Sequence, residues 1–304
     1  MAELVVYAEL GDGYLTKSNL VFATSHDALN ADSVDVASDE AAVGISKAII
    51  PPQWSFLRPV LPFDTSPLPP GVGILAAVLS LRGWASSYMA LDPPILIVVD
   101  GSDCAAALVV ADYGVLLGKI VSGGSIAIPD FNTAGWNHIT LNAIGRGWTN
   151  PGGITKLALR TDFDIDSHAE SGNAGFFTAD KGVGFKPYLT ITYSLLPTVT
   201  TNPATLVSRV GAKLNGVLNS DGGDACDVRF QWGETIAYGN DTAWQSGKNT
   251  GAIFEQAIGG LVLNTTYHFR AQARNTGGTA NGADRSFTTT QPFNRAHALS
   301  REEM

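Results

Sequence analysis

The sequence predicts an all-β protein, built as two consecutive β-sandwiches followed by a short tail. Its 304 residues include 33 glycines and 15 prolines, while charged residues make up only 15%. Apolar residues recur with a period of two through most of the chain, and clusters of turn-forming residues separate these runs. Many short strands joined by tight turns need this composition, whereas helices need periodic runs of Ala, Leu, Glu and Lys.

The first half of the chain contains several segments with strand-like alternation. The side chains predicted to face inward are Ala77, Leu79 and Leu81; Ile139 and Leu141; Ile154, Leu157 and Leu159; and Leu189, Ile191 and Tyr193. A further run, PILIVVDG, is apolar on both faces, which is typical of a strand covered on both sides. Turn clusters between these runs favour a sandwich of antiparallel sheets.

A Thr-rich connector bracketed by Pro197 and Pro203 predicts a domain boundary. The predicted parts are a jelly-roll-like sandwich over residues 1–196, a second sandwich over 197–290, and a C-terminal tail over 291–304. The tail contains the only segment predicted as a helix, with Ser300 as its N-cap, and it is a candidate docking segment for a neighbouring protein.

The segment GLVLNTTYHFRAQARN, residues 260–275, explains how the second sandwich folds. Its alternation places Tyr267, Phe269, Ala271 and Ala273 on one face of a strand, with polar side chains on the other. A tyrosine at the start of such a strand can bury its ring and direct its hydroxyl back to the chain that crosses between the sheets. We expect this contact to fix the corner.

These residues resemble the fibronectin type III family. The family's Leu-x-Pro-x-Thr-x-Tyr corner is matched by Leu261, by Leu263 in the proline place, and by Thr265 and Tyr267. The resemblance covers about residues 197–290, with Trp232 of VRFQWGET as the expected core aromatic. It implies a seven-strand immunoglobulin-like sandwich that serves as a spacer or adhesion module, and it implies no catalysis.

The first half of the chain also resembles a family. The segments LPFDTSPLPPGVGILAAVLSLRGW, FNTAGWNHITLN, GGITKLALRTDFDID and FFTADKGVGFKPYLTITYS follow one another in the order of a DNRLRE-type β-sandwich, a jelly-roll domain of the carbohydrate-binding-module kind. Such domains occur in secreted bacterial proteins and in phage or metagenomic surface proteins. The resemblance implies either polysaccharide binding or a purely structural role.

Charge and cysteine content exclude several classes. The net charge of −9 lies entirely within residues 1–196, which hold 19 acidic and 10 basic side chains. This negative charge would repel the phosphates of a nucleic acid, so we expect no nucleic-acid partner. The N-terminus lacks a basic start and no apolar run approaches the roughly 20 residues of a membrane span, so we expect neither a secretory signal nor a span. Cys104 and Cys226 fall in different predicted domains, which excludes a disulfide within either one.

Three aspartates form a candidate metal-binding site. Asp162, Asp164 and Asp166 alternate in DFDID and offer oxygen ligands for Ca²⁺. Because Ser167 and Asn173 occupy the places where an EF-hand needs glycine and glutamate, the alternatives are a looser calcium site and a solvated acidic loop. No other cofactor is predicted.

Aromatic residues of the first half are candidates for stacking on sugar rings. Trp84 and Tyr88 are the predicted carbohydrate-binding pair because they follow directly after a strand. The alternative for each aromatic side chain, including those of Trp54, Trp136 and Trp148, is packing in the core.

Enzyme motifs are missing from the sequence. It contains no G-x-S-x-G, phosphate-binding loop, H-E-x-x-H or pair of metal-binding cysteines, and its five histidines are scattered. We therefore predict that the protein is not an enzyme.

The predicted function is that of a structural or adhesive surface protein, most concretely a bacteriophage virion component such as a capsid decoration, fibre or tail protein. It would assemble in the host cytoplasm, reside on the virion surface as a homo-oligomer or lattice-bound copy, and contact other virion proteins or a cell-surface glycan. The alternative is an extracellular carbohydrate-binding module with a spacer. The start MAELVVYAEL is predicted as a strand, paired either with a partner's sheet or within its own domain.

Overall fold

The computed structural model describes residues 2–9, 12–49, 52–89 and 92–290. The chain divides into two compact units. Of the described residues, the first unit comprises Ala2–Pro70 and Ile74–Tyr193, and the second comprises Gly71–Gly73 and residues 194–290. Strands dominate both units, so the predicted all-β sandwich class is confirmed. The C-terminal tail, with its predicted helix and docking role, lies outside the described residues.

The part of the first unit that the structure describes contains twelve strands. They are β1 (Ala2–Tyr7), β2 (Gly13–Asn19), β3 (Ser33–Asp35), β4 (Glu40–Ile49), β5 (Pro52–Asp64), β6 (Gly73–Tyr88), β7 (Ile95–Asp100), β8 (Gly124–Ala127), β9 (Trp136–Thr140), β10 (Ile154–Thr161), β11 (Gly172–Phe177) and β12 (Tyr188–Ser194). They follow the order β1-β12-β6-β11-β4-β5-β10-β7-β8, with β9 paired to β6, β2 to β5 and β3 to β2.

Strand β6 belongs to two sheets. Its residues 78–82 pair with β9, and its residues 83–88 pair with β11. We call the sheet of β1, β12, the first part of β6, and β9 the front sheet, and the sheet that begins at β11 the back sheet. The inward side chains of the front sheet are fully or almost fully buried; they are Leu79, Leu81, Ile139, Leu189 and Ile191. The alternation predicted for these strands is therefore confirmed at these positions, whereas Tyr193, also predicted to face inward, is only half-buried.

The prediction that only the tail is helical was wrong. The described residues of the first unit include four short α-helices: α1 (Phe22–His26), α2 (Asp112–Leu117), α3 (Ala143–Gly147) and α4 (Asp162–Ile165). Helices of four to six residues are too short to show a 3.6-residue period. Side-chain caps mark two of them, since Asn142 accepts from the amides of Ile144 and Gly145, and Thr161 accepts from the amide of Asp164.

A buried ion cluster lies inside the first unit. Asp164 bonds Arg58 through both carboxylate oxygens, at 2.7 and 2.9 Å, and Arg160 through one, at 2.6 Å. The Arg58 guanidinium also lies over the ring of Tyr113, 3.9 Å from the centroid. Burial alone would raise the pKa of Asp164, but the two guanidiniums hold it at about 2. All three ionic groups are at least 98% buried.

Over residues 194–290, the second unit contains nine strands. They are β13 (Thr198–Thr205), β14 (Gly211–Ser220), β15 (Cys226–Gly233), β16 (Asn240–Asp241), β17 (Gln245–Lys248), β18 (Ile253–Gly259), β19 (Thr266–Asn275), β20 (Gly278–Asn281) and β21 (Arg285–Thr288). One sheet has the order β13-β14-β18 and the other β16-β15-β19-β20, with β17 on β15 and β21 on β19. Their shared core includes Leu214, Phe230, Phe254 and Phe269. This is a fibronectin type III-like sandwich.

The corner before β19 has the tyrosine contact that the sequence suggests. The Tyr267 hydroxyl accepts a hydrogen bond from the amide of Val262 at 3.0 Å. Leu261 is buried beside it. Thr265 bonds the carbonyl of Leu263, and Thr289 bonds the carbonyl of Val262. Thr289 is a second clamp on the corner that the motif did not indicate.

Both cysteines are buried and free. Among the described residues, no helix has the length and apolar character needed to cross a membrane.

Candidate functional site

The predicted carbohydrate-binding pair does not form one platform. Trp84 and Tyr88 both lie on β6 and are 40% and 44% exposed. However, Gly83 pairs with Phe176 and Ala85 pairs with Gly175, so Trp84 is an extra residue in a β-bulge. Beyond a bulge the side-chain alternation is reversed, and Tyr88 therefore projects from the face opposite to that of Trp84. The two rings cannot stack on the same sugar chain.

The three aspartates of DFDID do not form a calcium site. Asp162 and Asp164 lie in α4, where alternate residues point in different directions, and Asp164 is bound by two arginines. The carboxylate of Asp162 accepts from the amides of Ile95 and Phe163. Asp166 is exposed just after the helix. Within the described part of the chain, no three His, Cys, Asp or Glu side chains converge as metal ligands.

The remaining tryptophans of the first unit have different environments. Trp54 is buried and packs edge-on against Phe22. Trp148 is half-buried and lines a cavity of about 250 Å³ with Ile144 and neighbouring aliphatic side chains. Trp136 is half-buried at the start of β9, and it lines a concave feature of this unit.

That feature is an aromatic groove on the outer side of the front sheet. It encloses about 600 Å³ and is lined by Tyr7, Trp136, Val183, Gly184, Lys186 and Tyr188. A neighbouring depression of about 460 Å³ extends along β1 and shares Tyr7 and Lys186 with the groove. We treat the aromatic groove as the candidate functional site.

Strand register brings the three rings together. Tyr7 ends β1 and lies opposite Tyr188, the first residue of β12. Their ring centroids are 5.8 Å apart. The Trp136 ring packs edge-on against Tyr188 with a centroid distance of 4.9 Å. Tyr7 is 56% exposed, so the row of rings opens to solvent at the β1 side.

One wall of the groove is formed by residues 182–187, which lead into β12. Gly182 and Gly184 have φ angles of +94° and +89°, a conformation that glycine adopts at little cost. Val183 between them is 97% exposed. A 3₁₀-helix, Ala179–Lys181, comes directly before this wall. The amide of Ala179 donates a hydrogen bond to the buried carboxylate of Asp12 at 2.9 Å. This hydrogen bond ties the base of the wall to the first unit's interior.

Two cations border the rings. Arg82 lies opposite Trp136 in the β6–β9 ladder, and its guanidinium is 6.0 Å from the Trp136 centroid and 5.0 Å from the Phe185 centroid. Lys186 lines the groove itself. Stacking on two rings holds the Arg82 charge near the aromatic row without neutralising it.

Sequence reasoning missed Tyr7 and Tyr188 as site residues. A signal for Tyr188 was present, because it alternates with the buried side chains of Leu189 and Ile191 and therefore faces outward. The pairing of β1 with β12, which brings Tyr7 beside Tyr188, has no local signal in the sequence.

The chain was compared with known proteins. No family model and no curated protein matches it. Solved structures that match include the sensor domain of the anti-sigma factor RsgI4 from Pseudobacteroides cellulosolvens, at 19% identity over 32% of this chain and 96% of that one, with a TM-score of 0.27. Chicken CNTN1 FN1–FN3 domains match at 10% identity over 94% and 98%, with a TM-score of 0.26. Domains from titin match at 12% identity over 95% and 93%, with a TM-score of 0.27. At these identities and TM-scores, the likenesses carry no functional argument.

Proposed function

We propose that this protein is a non-enzymatic adhesion protein that attaches a surface to a glycan through the aromatic groove of its first unit. The observation that carries the proposal is the row of Tyr7, Tyr188 and Trp136 along an open groove of about 600 Å³. On this proposal the first unit is the DNRLRE-type module that its sequence resembles, and the fibronectin type III-like unit is a spacer.

The chemistry of the groove suits a sugar chain. The apolar faces of sugar rings pack on aromatic side chains, while polar groups at the rim orient the hydroxyls. The groove is open at the Tyr7 side, where the ring is more than half exposed, so a polymer can continue along the neighbouring depression beside β1. An open channel of this kind accepts an internal stretch of a chain as readily as its end.

The wider setting that we propose is a virion surface, where the protein is a capsid decoration, fibre or tail component. The position of β1 supports it. This strand stands at the end of the front sheet and, among the described residues, has a strand partner on one side only, β12. Its free edge offers backbone groups for a neighbouring subunit. An extracellular module of a polysaccharide-degrading system remains the alternative setting.

The glycan proposal is tested with Trp136→Ala and Tyr7→Ala on a glycan array containing neutral and acidic polysaccharides. We expect each variant to lose binding by about tenfold or more, since each removes one aromatic contact surface worth roughly 1–3 kcal/mol. Tyr7→Ala is the safer variant for folding because more than half of that side chain is already exposed.

Trp84→Ala is the matched control, because Trp84 is an equally large, exposed aromatic on another part of the first unit. Its binding should equal that of the unaltered protein. If Trp84→Ala abolished binding and Trp136→Ala did not, the site would lie at the bulge of β6 and the groove proposal would be wrong.

The virion setting is tested by the state of the protein in purified particles. We expect it to co-purify with virions and to occupy ordered, repeated positions in a cryo-electron microscopy map. Recovery only as a free molecule in the medium would instead support the extracellular setting.

A further inference from the structure

We propose that the aromatic groove selects anionic saccharides, with Lys186 and Arg82 contacting a carboxylate or sulfate group of the sugar. The inference rests on the proposed glycan-binding function and adds the charge class of the ligand. It is carried by the placement of two cations that form no ion pair or hydrogen bond with any described acidic group, beside the three rings that form the groove.

The distribution of charge partners in the first unit is uneven. Seven of its ten Lys and Arg side chains donate hydrogen bonds within the unit; they are Lys17, Arg58, Lys119, Arg146, Lys156, Arg160 and Lys181. The other three, Lys47, Arg82 and Lys186, donate none to any described residue and form no ion pair there. Two of these three border the same groove.

Lys186 is placed to contact a ligand. Among the described residues it is the only cation that lines the groove, and it also lines the adjoining depression. The Lys186 ammonium lies at the groove wall, two residues before Tyr188 in the sequence. It is therefore placed to donate to a sugar that stacks against the Tyr188 ring. A hydrogen bond between an ammonium and a carboxylate or sulfate is charge-assisted and stronger than one to a neutral hydroxyl.

Arg82 adds a second positive charge without closing the groove. Its guanidinium stacks on Phe185 and lies beside Trp136, which leaves its donors free of acidic partners in the described structure. Arg82 and Lys186 are both half-buried, and half-buried charges without an ionic partner are costly, so an anion bound at the groove would offset this cost.

The surrounding charges make this selection specific to the groove. The first predicted domain carries a net charge of −9, which repels polyanions in general. Glu9 and Asp64 line the adjoining depression, so the anionic group of the ligand belongs at the groove and not beside β1. Binding of an acidic polysaccharide would therefore depend on local contacts and not on overall charge.

The experiment measures glycan-array binding of the full chain and of Lys186→Gln, at low salt, with neutral, uronate-containing and sulfated glycans present together. We expect acidic glycans to bind best and Lys186→Gln to weaken that binding about tenfold, which corresponds to one charge-assisted hydrogen bond of roughly 1.4 kcal/mol. Lys186→Arg should keep most of the affinity. The preference between uronate and sulfate glycans identifies which anion is bound.

Lys47→Gln is the matched control, because it removes an equally unpaired lysine that lies over Trp54, away from the groove. Its affinity should not change. If neutral glycans bind through Trp136 and Lys186→Gln has no effect, the anionic inference is wrong and the glycan-binding proposal stands. If no glycan shows binding that depends on Trp136 or Tyr7, both are wrong.

Discussion

Asp164 has a structural role that its sequence context conceals. In DFDID it looks like one of three equivalent carboxylates, yet it is the only one that enters the interior, where it joins Arg58 and Arg160. His26 adds a contact between its ring nitrogen and the Asp164 carbonyl, at 2.6 Å. The cluster links β5, β10, α1 and α4, so a single carboxylate organises the helical side of the first unit.

Replacing Asp164 with Asn should destabilise the first unit by about 3–5 kcal/mol, since two buried guanidiniums would lose their counter-ion. Calorimetric unfolding measures the change, and Asp166→Asn, at an exposed neighbouring position, should alter stability by less than about 0.5 kcal/mol. Because the pKa of Asp164 is lowered to about 2, the stability it contributes is present above pH 4 and is lost only as the pH falls from there through 2. Equal stability of the two variants would contradict a central role for the cluster.

The groove wall over residues 182–187 depends on a second buried carboxylate. Asp12 is fully buried, and one of its oxygens accepts from the amide of Ala179 while the other has no hydrogen-bond partner among the described residues. Burial raises the pKa of Asp12 to about 7; the Ala179 amide opposes this rise, Asp180 adds to it, and Lys186 opposes it. The wall is therefore anchored by a group that changes protonation near neutral pH.

We expect the first unit to become less stable as the pH rises from about 4 to about 7. A raised pKa means that the folded state binds the proton more tightly than the unfolded state, so stability declines across this interval, by no more than about 4 kcal/mol. Asp12→Asn should remove the decline in melting temperature between pH 5 and pH 8. Asp39→Asn, which alters an exposed carboxylate beside the same 3₁₀-helix, should retain it. An unchanged pH profile in Asp12→Asn would show that Asp12 titrates elsewhere.

Strands were largely predictable from the sequence because each carries its own period. Leu79, Leu81, Leu189 and Ile191 are buried where alternation placed them, although Ile154, at the start of β10, is 44% exposed. The inward face of β19 is buried from Tyr267 to Ala273 as predicted. In contrast, the short helices have no readable period, and the bulge at Trp84 reverses the face of Tyr88 through one extra residue.

The groove could not be predicted because it depends on partners distant in sequence. Tyr7 and Tyr188 meet only when β1 joins β12, and Trp136 reaches them through β9 and β6. Of these three residues, only Trp136 is a candidate for sugar stacking on sequence grounds, with packing in the core as its alternative. The fibronectin type III-like corner was easier to predict, since Leu261, Thr265 and Tyr267 lie within seven residues of one another.

The two units differ in what their surfaces present. The first predicted domain holds the whole excess of negative charge and the aromatic groove, while the second is electrically balanced. On the outer side of the second unit's larger sheet, Trp244 lies between Arg229 and Arg274, at 4.3 and 4.1 Å from its ring centroid, and each arginine is also paired with an aspartate. The charges of these two arginines are therefore neutralised within the second unit.

The pairing of β1 with β12 also determines how the first unit would bear mechanical load. Ala2 and Tyr193 are opposite each other at one end of this ladder, while Tyr7 and Tyr188 are at the other end. Tension between residues 2 and 193 would peel β1 away one pair at a time. A glycan bound in the groove would instead apply force near Tyr188, at the start of β12, while Ser194 holds the other end of this strand. The force would then run along β12, which lies between β1 and β6, and the hydrogen bonds to both neighbouring strands would be loaded in shear. On the proposed glycan-binding function, a tether through the groove would therefore resist more force than one attached at residue 2.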